Sequence, residues 1–406
     1  MKKLSLRTAT LEGSNIMAHP GLKDGPIYLD YNATTPVDPG VVDAMLPYLS
    51  TYFGNPSSAH AYAQVTRMAM ATAREQVAQL LGCIPEEIVF TSCGSESNAL
   101  AIRGAALANR FHGNHIITQV SEHPAVINVC KSLARLHGFR ITYLPVDKYG
   151  RIDPVELEAA IDEQTTLISI MYANNETGTM QPIAELADIA RRHRVLLHTD
   201  ASQAVGKVPV DIQSLGVDFL TLTGHKLYAP KGIGALYVRR GLQIEPLLYG
   251  GGQESGVRAG TENVAFMVAL GTAATQAREK LTSSKARLQQ LRDRLQQQLE
   301  QRLPHATHLN GHPTDRLPNT LNISIDGVLG EAVLEATPGV ASSTGSACHE
   351  GNTEPSAVLT AMGLSRERAL GALRLTLGRW TTEKEVDAAA GQLAQSVQVL
   401  WSRRDS

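Results

Sequence analysis

Between about residues 28 and 267, short apolar runs alternate with longer stretches of helical character. Residues 88–91, 115–119, 141–144, 167–171, 195–199 and 219–222 read as strands. Residues 97–107, 124–137 and 183–193 read as helices between them. Strands separated by helices predict a mainly parallel α/β sheet. Residues 282–303 then form an amphipathic pattern, with Leu288, Leu291, Leu295 and Leu299 on one face among Gln and Arg. That helix is expected to lead out of the large unit. A smaller region follows, with strands predicted at 321–325 and 373–377, a polar loop around Cys348, and further helices. No internal repeat and no low-complexity tract interrupts this order.

The chain has 406 residues, enough for two or three domains at about 150 residues each. Hydrophobic residues make up 43%, which supports a large packed core. Lys plus Arg is 37 and Asp plus Glu is 39, a net charge of −2. Such a balance gives no general attraction to nucleic acid or anionic membrane, so neither is expected as a partner. No apolar run approaches the ~18–20 residues that span a bilayer. The first 25 residues open basic and lack the apolar core of a secretory signal. They read as a flexible extension, although Arg, Ser and Thr with no acid before Glu12 also suit a transit peptide. The four cysteines make no CxxC pair and no zinc spacing. So few cysteines in a long chain fit a reducing, cytoplasmic setting.

The strongest local signal is Leu220-Thr221-Leu222-Thr223-Gly224-His225-Lys226. An apolar β run ends and a lysine follows at once, beside hydroxyl, glycine and imidazole. A rigidly placed lysine is what pyridoxal phosphate needs to form its Schiff base. The same cofactor needs a carboxylate against its ring nitrogen. Asp200 supplies one at the end of the preceding strand, in His198-Thr199-Asp200-Ala201-Ser202-Gln203, and strand ends are where open α/β sheets bind ligands. Taken singly, Lys226 reads as a surface lysine and Asp200 as a helix cap; the pairing at consecutive strand ends favours chemistry.

Thr91-Ser92-Cys93-Gly94-Ser95-Glu96-Ser97-Asn98 runs from strand through a small-residue turn into a helix. Free backbone N–H groups there would cradle a phosphate, or Ser95 would simply cap the helix. His123, after the strand at 115–119, could stack on an aromatic cofactor and move protons, or serve as a cap. Asn174 and Asn175 end another strand; one could meet a ring hydroxyl, and turn chemistry explains both equally well. Cys348 lies in Gly345-Ser346-Ala347-Cys348-His349-Glu350-Gly351-Asn352, without large apolar anchors. This context suggests a mobile loop that presents a reactive thiol. Cys83, Cys93 and Cys130 have core or helix-start readings. His305, His308 and His312 are flanked by Pro304 and Pro313, and no metal site is expected there.

At these residues the chain resembles the cysteine desulfurases, pyridoxal-phosphate enzymes of the fold type I, aminotransferase-like architecture. The resemblance runs from Tyr28 to about Leu400. Tyr28-Leu29-Asp30-Tyr31-Asn32-Ala33-Thr34-Thr35-Pro36 is similar to the family's N-terminal signature, and Gly54-Asn55-Pro56-Ser57-Ser58 follows. Asn174-Asn175-Glu176-Thr177-Gly178, Gly224-His225-Lys226 and Gly345-Ser346-Ala347-Cys348 match in order. The resemblance implies a large cofactor domain, 35–275, on a mainly parallel seven-stranded sheet. It implies a smaller α/β domain from 1–34 and 276–406. It makes Lys226 the Schiff-base lysine, Asp200 the partner of the ring nitrogen and His123 the stacking residue. Asn175 and Gln203 would meet the ring hydroxyl. Gly94, Ser95, Thr223 and His225 would hold the phosphate, with Thr261 reaching it from the other subunit of a homodimer. Arg374 and Asn32 would hold the substrate carboxylate, and Cys348 would accept the sulfur.

Three departures bear on these expectations. Ser95 stands where Thr is frequent, Cys93 stands where Gly is usual, and the chain stops at Ser406 without the longer tail that docks a scaffold protein. The implied reaction takes L-cysteine to L-alanine, leaves a persulfide on Cys348 and passes its sulfur to an acceptor protein, such as one for iron–sulfur cluster assembly. Selenocysteine lyase is the near alternative, similar in Ala347-Cys348-His349 and Leu317-Pro318-Asn319-Thr320; L-selenocysteine would then be the substrate. A silent dimeric scaffold would have no use for Lys226, Asp200 and Cys348 together. An aminotransferase would leave Cys348 unexplained.

Overall fold

The computed structural model describes residues 19–345 and 354–404. A short strand β1 (Ile27–Tyr28) is the first strand of the described residues. Then come β2 (Ile88–Thr91), β3 (His115–Gln119), β4 (Arg140–Leu144), β5 (Thr165–Ser169), β6 (Leu196–Asp200), β7 (Phe219–Thr223) and β8 (Gly234–Val238). These last seven form one sheet in the order β2-β8-β7-β6-β5-β3-β4. All neighbours are parallel except β8, which runs antiparallel to both β7 and β2. Six of the seven strands were legible as apolar runs. The seventh, β8, was not, because its Gly-Ala-Leu-Tyr-Val follows a Pro-Lys-Gly-Ile turn and reads as the tail of a loop.

Helices cover both faces. They include α1 (Ala61–Leu81), which precedes β2, and the crossover helices α2 (Gly94–Ala108), α3 (Pro124–His137) and α4 (Ile183–Arg192). Fully buried Ile116, Ile117, Leu167, Ile168, Leu220 and Leu222 show why the strands are apolar throughout: a parallel sheet covered on both faces exposes neither. The parallel direction also places the C-terminal ends of β2, β3, β5, β6 and β7 along one edge, and the motif-bearing turns all start there.

Helix α5 (Val264–Arg302) is 39 residues long and joins two cores. The expected start near residue 282 is corrected to Val264. Its first half is buried over much of its surface, with Val264, Met267, Leu270 and Ala274 inside, so it lacks amphipathic period. Its second half presents Leu288, Leu291, Leu295 and Leu299 to a separate cluster. That cluster is built on β9 (Thr307–Asn310), β10 (Thr320–Ile325) and β12 (Ala372–Thr376), an antiparallel sheet ordered β12-β10-β9. Helix α6 (Glu383–Arg404) adds Val386, Leu393 and Val397. Strand β9 contains His308, and the proline flanks had hidden it. A strand β11 (Val340–Ala341) pairs in parallel with β1, and Asp30 bridges to Thr376. The N-terminal segment 27–32 is thereby tied to the second core and led across the sheet edge of the first.

Candidate active site

Lys226 lies in a single 3-10 turn, Gly224–Lys226, that follows β7 directly. Its Nζ donates to the carbonyls of Asn32 and Ala33, the latter at 2.6 Å. Burial, joined by the Arg374 guanidinium, pulls its pKa down to about 8, against the pull of Asp30 and Asp200. A lysine in this state has a substantial free-amine fraction near neutral pH, which a nucleophile or proton carrier requires.

Asp200, the last residue of β6, is buried on the same edge. Its Oδ2 accepts from Asn98 Nδ2 at 2.7 Å and its Oδ1 from the Ser202 amide at 2.9 Å. Asn98 belongs to α2 and sits four residues past Gly94, so one helix serves two parts of the site. Sequence reasoning quoted Asn98 without giving it a role. Below Asp200, His198 is fully enclosed between Ser169 Oγ at 2.8 Å and Thr221 Oγ1 at 3.1 Å. Burial lowers its pKa to about 4, against the attraction of Asp200. It is a neutral brace in the strand layer.

Helix α2 begins at Gly94, with Cys93 as its N-cap in extended conformation. The cap expected at Ser95 is thus corrected by two positions. The first-turn N–H groups of Gly94 and Ser95 have no intrahelical acceptor and face outward from the helix end. A Cβ on Gly94 would lie 3.2 Å from Ser202 Oγ and 3.3 Å from Thr223 Cβ. Glycine, two hydroxyl residues and a helix end therefore converge on one narrow recess. Glu96 in the same turn would repel an anion, but Arg258 pairs with it at 2.8 Å and the Ser92 amide donates to it at 2.7 Å. His225 bonds Thr34 Oγ1 at 3.1 Å, and burial together with Lys226 pulls its pKa to about 4.

His123 caps α3, its Nδ1 accepting from the Ala125 amide at 3.1 Å. That bond fixes the neutral tautomer with the proton on Nε2. Burial lowers its pKa, Lys226 opposes its protonation, and Asp200 favours it. Glu122 beside it is buried, accepts from the Met171 amide at 2.5 Å and from Gln119 at 3.1 Å, and is pushed up to about 8 by burial. It went unassigned in the sequence because only its neighbour drew notice.

The two asparagines after β5 divide. Asn174 Oδ1 accepts from the Glu176 and Thr177 amides at 2.9 and 3.0 Å, which is turn chemistry. Asn175 offers its carbonyl to Asn32 Nδ2 at 3.2 Å and to Arg374 Nη1 at 3.3 Å. Arg374, on β12, also pairs with Asp30 at 2.8 Å, and its buried Nε has no partner. Asn32 is buried, with its side-chain oxygen taken by Lys207 and Asn319, each at 3.1 Å. Gln203 donates to the Asn32 carbonyl at 3.0 Å. The chain thus brings together Asn32, Asn175, Asp200, Gln203, Lys226 and Arg374, with Gly94, Ser95, His123, Thr223 and His225 around them. Thr261 is exposed beside Ser92 and Arg258, and no hydrogen bond of the described residues joins it to the cluster.

Cys348 lies outside the described residues. Two described residues on either side of it meet one carboxylate: Glu176 accepts from Ser356 Oγ and lies against Gly345. Burial raises the pKa of Glu176 to about 7. The described thiols of Cys83 and Cys130 are both pushed up to about 12 by burial. Among the described residues no group of three or more His, Cys, Asp or Glu could hold a metal.

These residues fit pyridoxal phosphate. The amine of Lys226 and the carboxylate of Asp200 lie near enough to interact electrostatically, a Cβ at Gly94 would crowd the recess there, and Arg374 keeps a buried Nε without a partner. The aminotransferase class-V family model matches residues 27–389. The cysteine desulfurase IscS of Methanosarcina thermophila is 48% identical over 391 residues, covering 96% of this chain and 95% of its own. Among solved structures, a NifS-like protein superposes with a TM-score of 0.86 at 36% identity, over 92% of this chain and 100% of its own. SspA, solved in complex with cysteine, superposes with a TM-score of 0.78 at 39% identity, over 87% and 99%.

Proposed function

The chain belongs to the aminotransferase class-V family, and from that premise we propose how its residues perform the reaction of a pyridoxal-phosphate-dependent cysteine desulfurase. L-Cysteine becomes L-alanine, and the sulfur passes to a cysteine of the enzyme. The observation that carries the residue assignments is the convergence of Lys226, Asp200 and the Gly94 recess on one sheet edge.

Pyridoxal phosphate, when bound, supplies a carbonyl that condenses with amines and a ring that draws electrons from the substrate's α-carbon. Lys226 would hold it covalently and, as a free amine, would carry protons. Asp200, steadied by Asn98, would pair with the ring nitrogen. The first-turn amides at Gly94 and Ser95, with Thr223 and His225, would hold the phosphate. Asn175 and Gln203 would meet the ring hydroxyl. His123 offers a flat face and one N–H donor; its capped Nδ1 leaves Lys226 as the base. Arg374 takes the substrate carboxylate, since a planar guanidinium matches it with two donors, and Asn32 shapes the same corner. The Cys348 thiolate attacks the substrate sulfur. The new S–S bond forms as the C–S bond breaks, and its electron pair stays with the carbon skeleton. That skeleton takes a proton and leaves as alanine, and a persulfide remains on Cys348.

The division into a large unit, 35–275, and a small one, 1–34 with 276–406, is supported by the separate cores on either half of α5. A homodimer is supported by apolar surface near the start of α1: Phe53 and Tyr62, rings 5.4 Å apart, stay 70% and 66% exposed. Thr261 would cross to the partner's phosphate there. No helix of the described residues is long and apolar enough to cross a membrane. We assign the protein to the cytoplasm, delivering sulfur to an acceptor protein of iron–sulfur cluster assembly.

The test is a product assay on the purified protein with reductant, offered L-cysteine and L-selenocysteine separately. Alanine formed from cysteine in equal amount to sulfide supports this reading. Alanine formed from selenocysteine alone replaces it with a lyase.

A further inference from the structure

The site holds a second lysine that neither the motifs nor the comparisons single out. Lys207 is buried, four residues past Gln203. Its Nζ donates to Gln203 Oε1 at 2.6 Å and to Asn32 Oδ1 at 3.1 Å. Both partners are neutral amides. A buried ammonium with only neutral partners is costly, so the position calls for a physical reason. Burial lowers the pKa of Lys207 far below the lysine range, and Lys226 and Arg374 push the same way. That shift favours the uncharged amine, and its Nζ donates two hydrogen bonds.

Those bonds close a small ring. Lys207 binds the Gln203 oxygen, Gln203 Nε2 binds the Asn32 carbonyl, and the Asn32 side chain returns to Lys207. The same Asn32 carbonyl receives Lys226 Nζ. Lys207 and Lys226 also line one cavity of about 30 Å³, with Tyr31, Tyr228, Lys280 and Arg379 on its wall. That volume has room for about one water.

We propose that Lys207 is a positioning residue: its amine locks the side chains of Asn32 and Gln203 and so fixes the carbonyl that receives Lys226. The functional meaning rests on Lys226 being the cofactor lysine; the geometry does not. Carbonyl acceptors favour the ammonium form of an amine. Loosening Asn32 therefore lowers the titration midpoint of Lys226 below about 8. Loss of a nearby positive charge would move it the other way. The charged or titratable groups around Lys226 are Asp30, Asp200, Arg374, His123, His225 and Lys207 itself, with Tyr31, Tyr228, Lys280 and Arg379 on the shared cavity, and the variants below change only Lys207 or Lys280.

The experiment labels the apoenzyme with an amine-acylating reagent across a pH series and follows the Lys226 peptide by mass spectrometry. Lys207→Met lowers the Lys226 midpoint by about 0.5 pH unit or more, and Lys207→Gln, which keeps one donor, by less. Lys280→Met removes an exposed charge from the same cavity and leaves the midpoint in place. If Lys207→Met fails to fold by circular dichroism, Lys207→Gln and the wild type decide. In the wild type, Lys207 is acylated at least about tenfold more slowly than Lys226 throughout, as its burial requires. A midpoint that stays or rises on loss of Lys207, or a wild-type Lys207 as reactive as Lys226, overturns the proposal. Because no cofactor is present, these outcomes are separate from any failure of the Lys226 assignment.

Discussion

Asn98 Nδ2 donates to Asp200 Oδ2 at 2.7 Å, from the helix whose first turn faces the phosphate recess. The carboxylate proposed to meet the ring nitrogen and the proposed phosphate cradle are thus set by one rigid element. Asp200→Ala should loosen cofactor binding by about 2 kcal/mol, or roughly 30-fold in Kd, as expected for a lost charged hydrogen bond. Asn98→Ala should cost about 1 kcal/mol, because Asp200 remains and only its orientation relaxes. Cofactor titration followed by absorbance measures both. Tighter loss in Asn98→Ala than in Asp200→Ala would reverse the hierarchy argued here.

Lys226→Ala should remove both the yellow absorbance of the holoenzyme and its turnover. The Lys226 amine, just past the end of β7, is held by the carbonyls of Asn32 and Ala33 and is depressed to about 8, so it is the side chain proposed for covalent attachment. Borohydride reduction followed by peptide mapping locates the linkage. A linkage of normal yield in the mutant would move the assignment to another lysine.

The strand-end motifs were legible because each closes an apolar run with residues that a covered parallel strand does not carry: Ser-Glu-His, Asn-Asn, Asp, Gly-His-Lys. The partners that hold them were not. Asn98 falls mid-helix, where Asn reads as an exposed polar residue. Lys207 follows a glycine turn, where lysine is ordinarily solvated, and only the fold shows it enclosed. Asn174 and Asn175 were equivalent in sequence; the turn after β5 separates them by giving one side chain to its own backbone. Strand β8 and the first half of α5 were missed for opposite reasons. The former is glycine-led and follows a turn, and the latter is too uniformly buried to show a helical period.

Glu122 gives a pH prediction of definite sign. Its pKa in the folded protein is raised from 4.5 to about 8 by burial. A carboxyl with a raised folded pKa stabilises the fold, relative to an ionised group, when protonated. That stability is present below about 4.5 and is lost as pH rises toward about 8. Glu122→Gln keeps the oxygen that the Met171 amide binds and cannot ionise. Its Tm relative to wild type should therefore climb across that interval, and a flat difference would show that Glu122 titrates normally.

The sulfur acceptor is the assignment on which the chemistry turns. Thiolate, not thiol, attacks sulfur, so a cysteine whose pKa is held near 12 is nearly inert at neutral pH. Burial does this to Cys83 and Cys130. Cys93 caps the helix of the phosphate recess, so persulfide chemistry there would compete with cofactor binding. Cys348 remains, in a run of small and polar residues, with Gly345 and Ser356 both against Glu176. Cys348→Ala should keep cofactor binding and the first absorbance change with cysteine, because Lys226, Asp200 and Arg374 are untouched. Alanine formation from cysteine should fall by about a hundredfold or more, and no persulfide should form. Selenide is a better leaving group and needs less help from a thiolate, so alanine release from selenocysteine should fall less. Mass spectrometry of cysteine-treated protein reports the modified residue directly. A persulfide on Cys83, Cys93 or Cys130, with Cys348→Ala fully active on cysteine, would transfer the role to that thiol and overturn the mechanism.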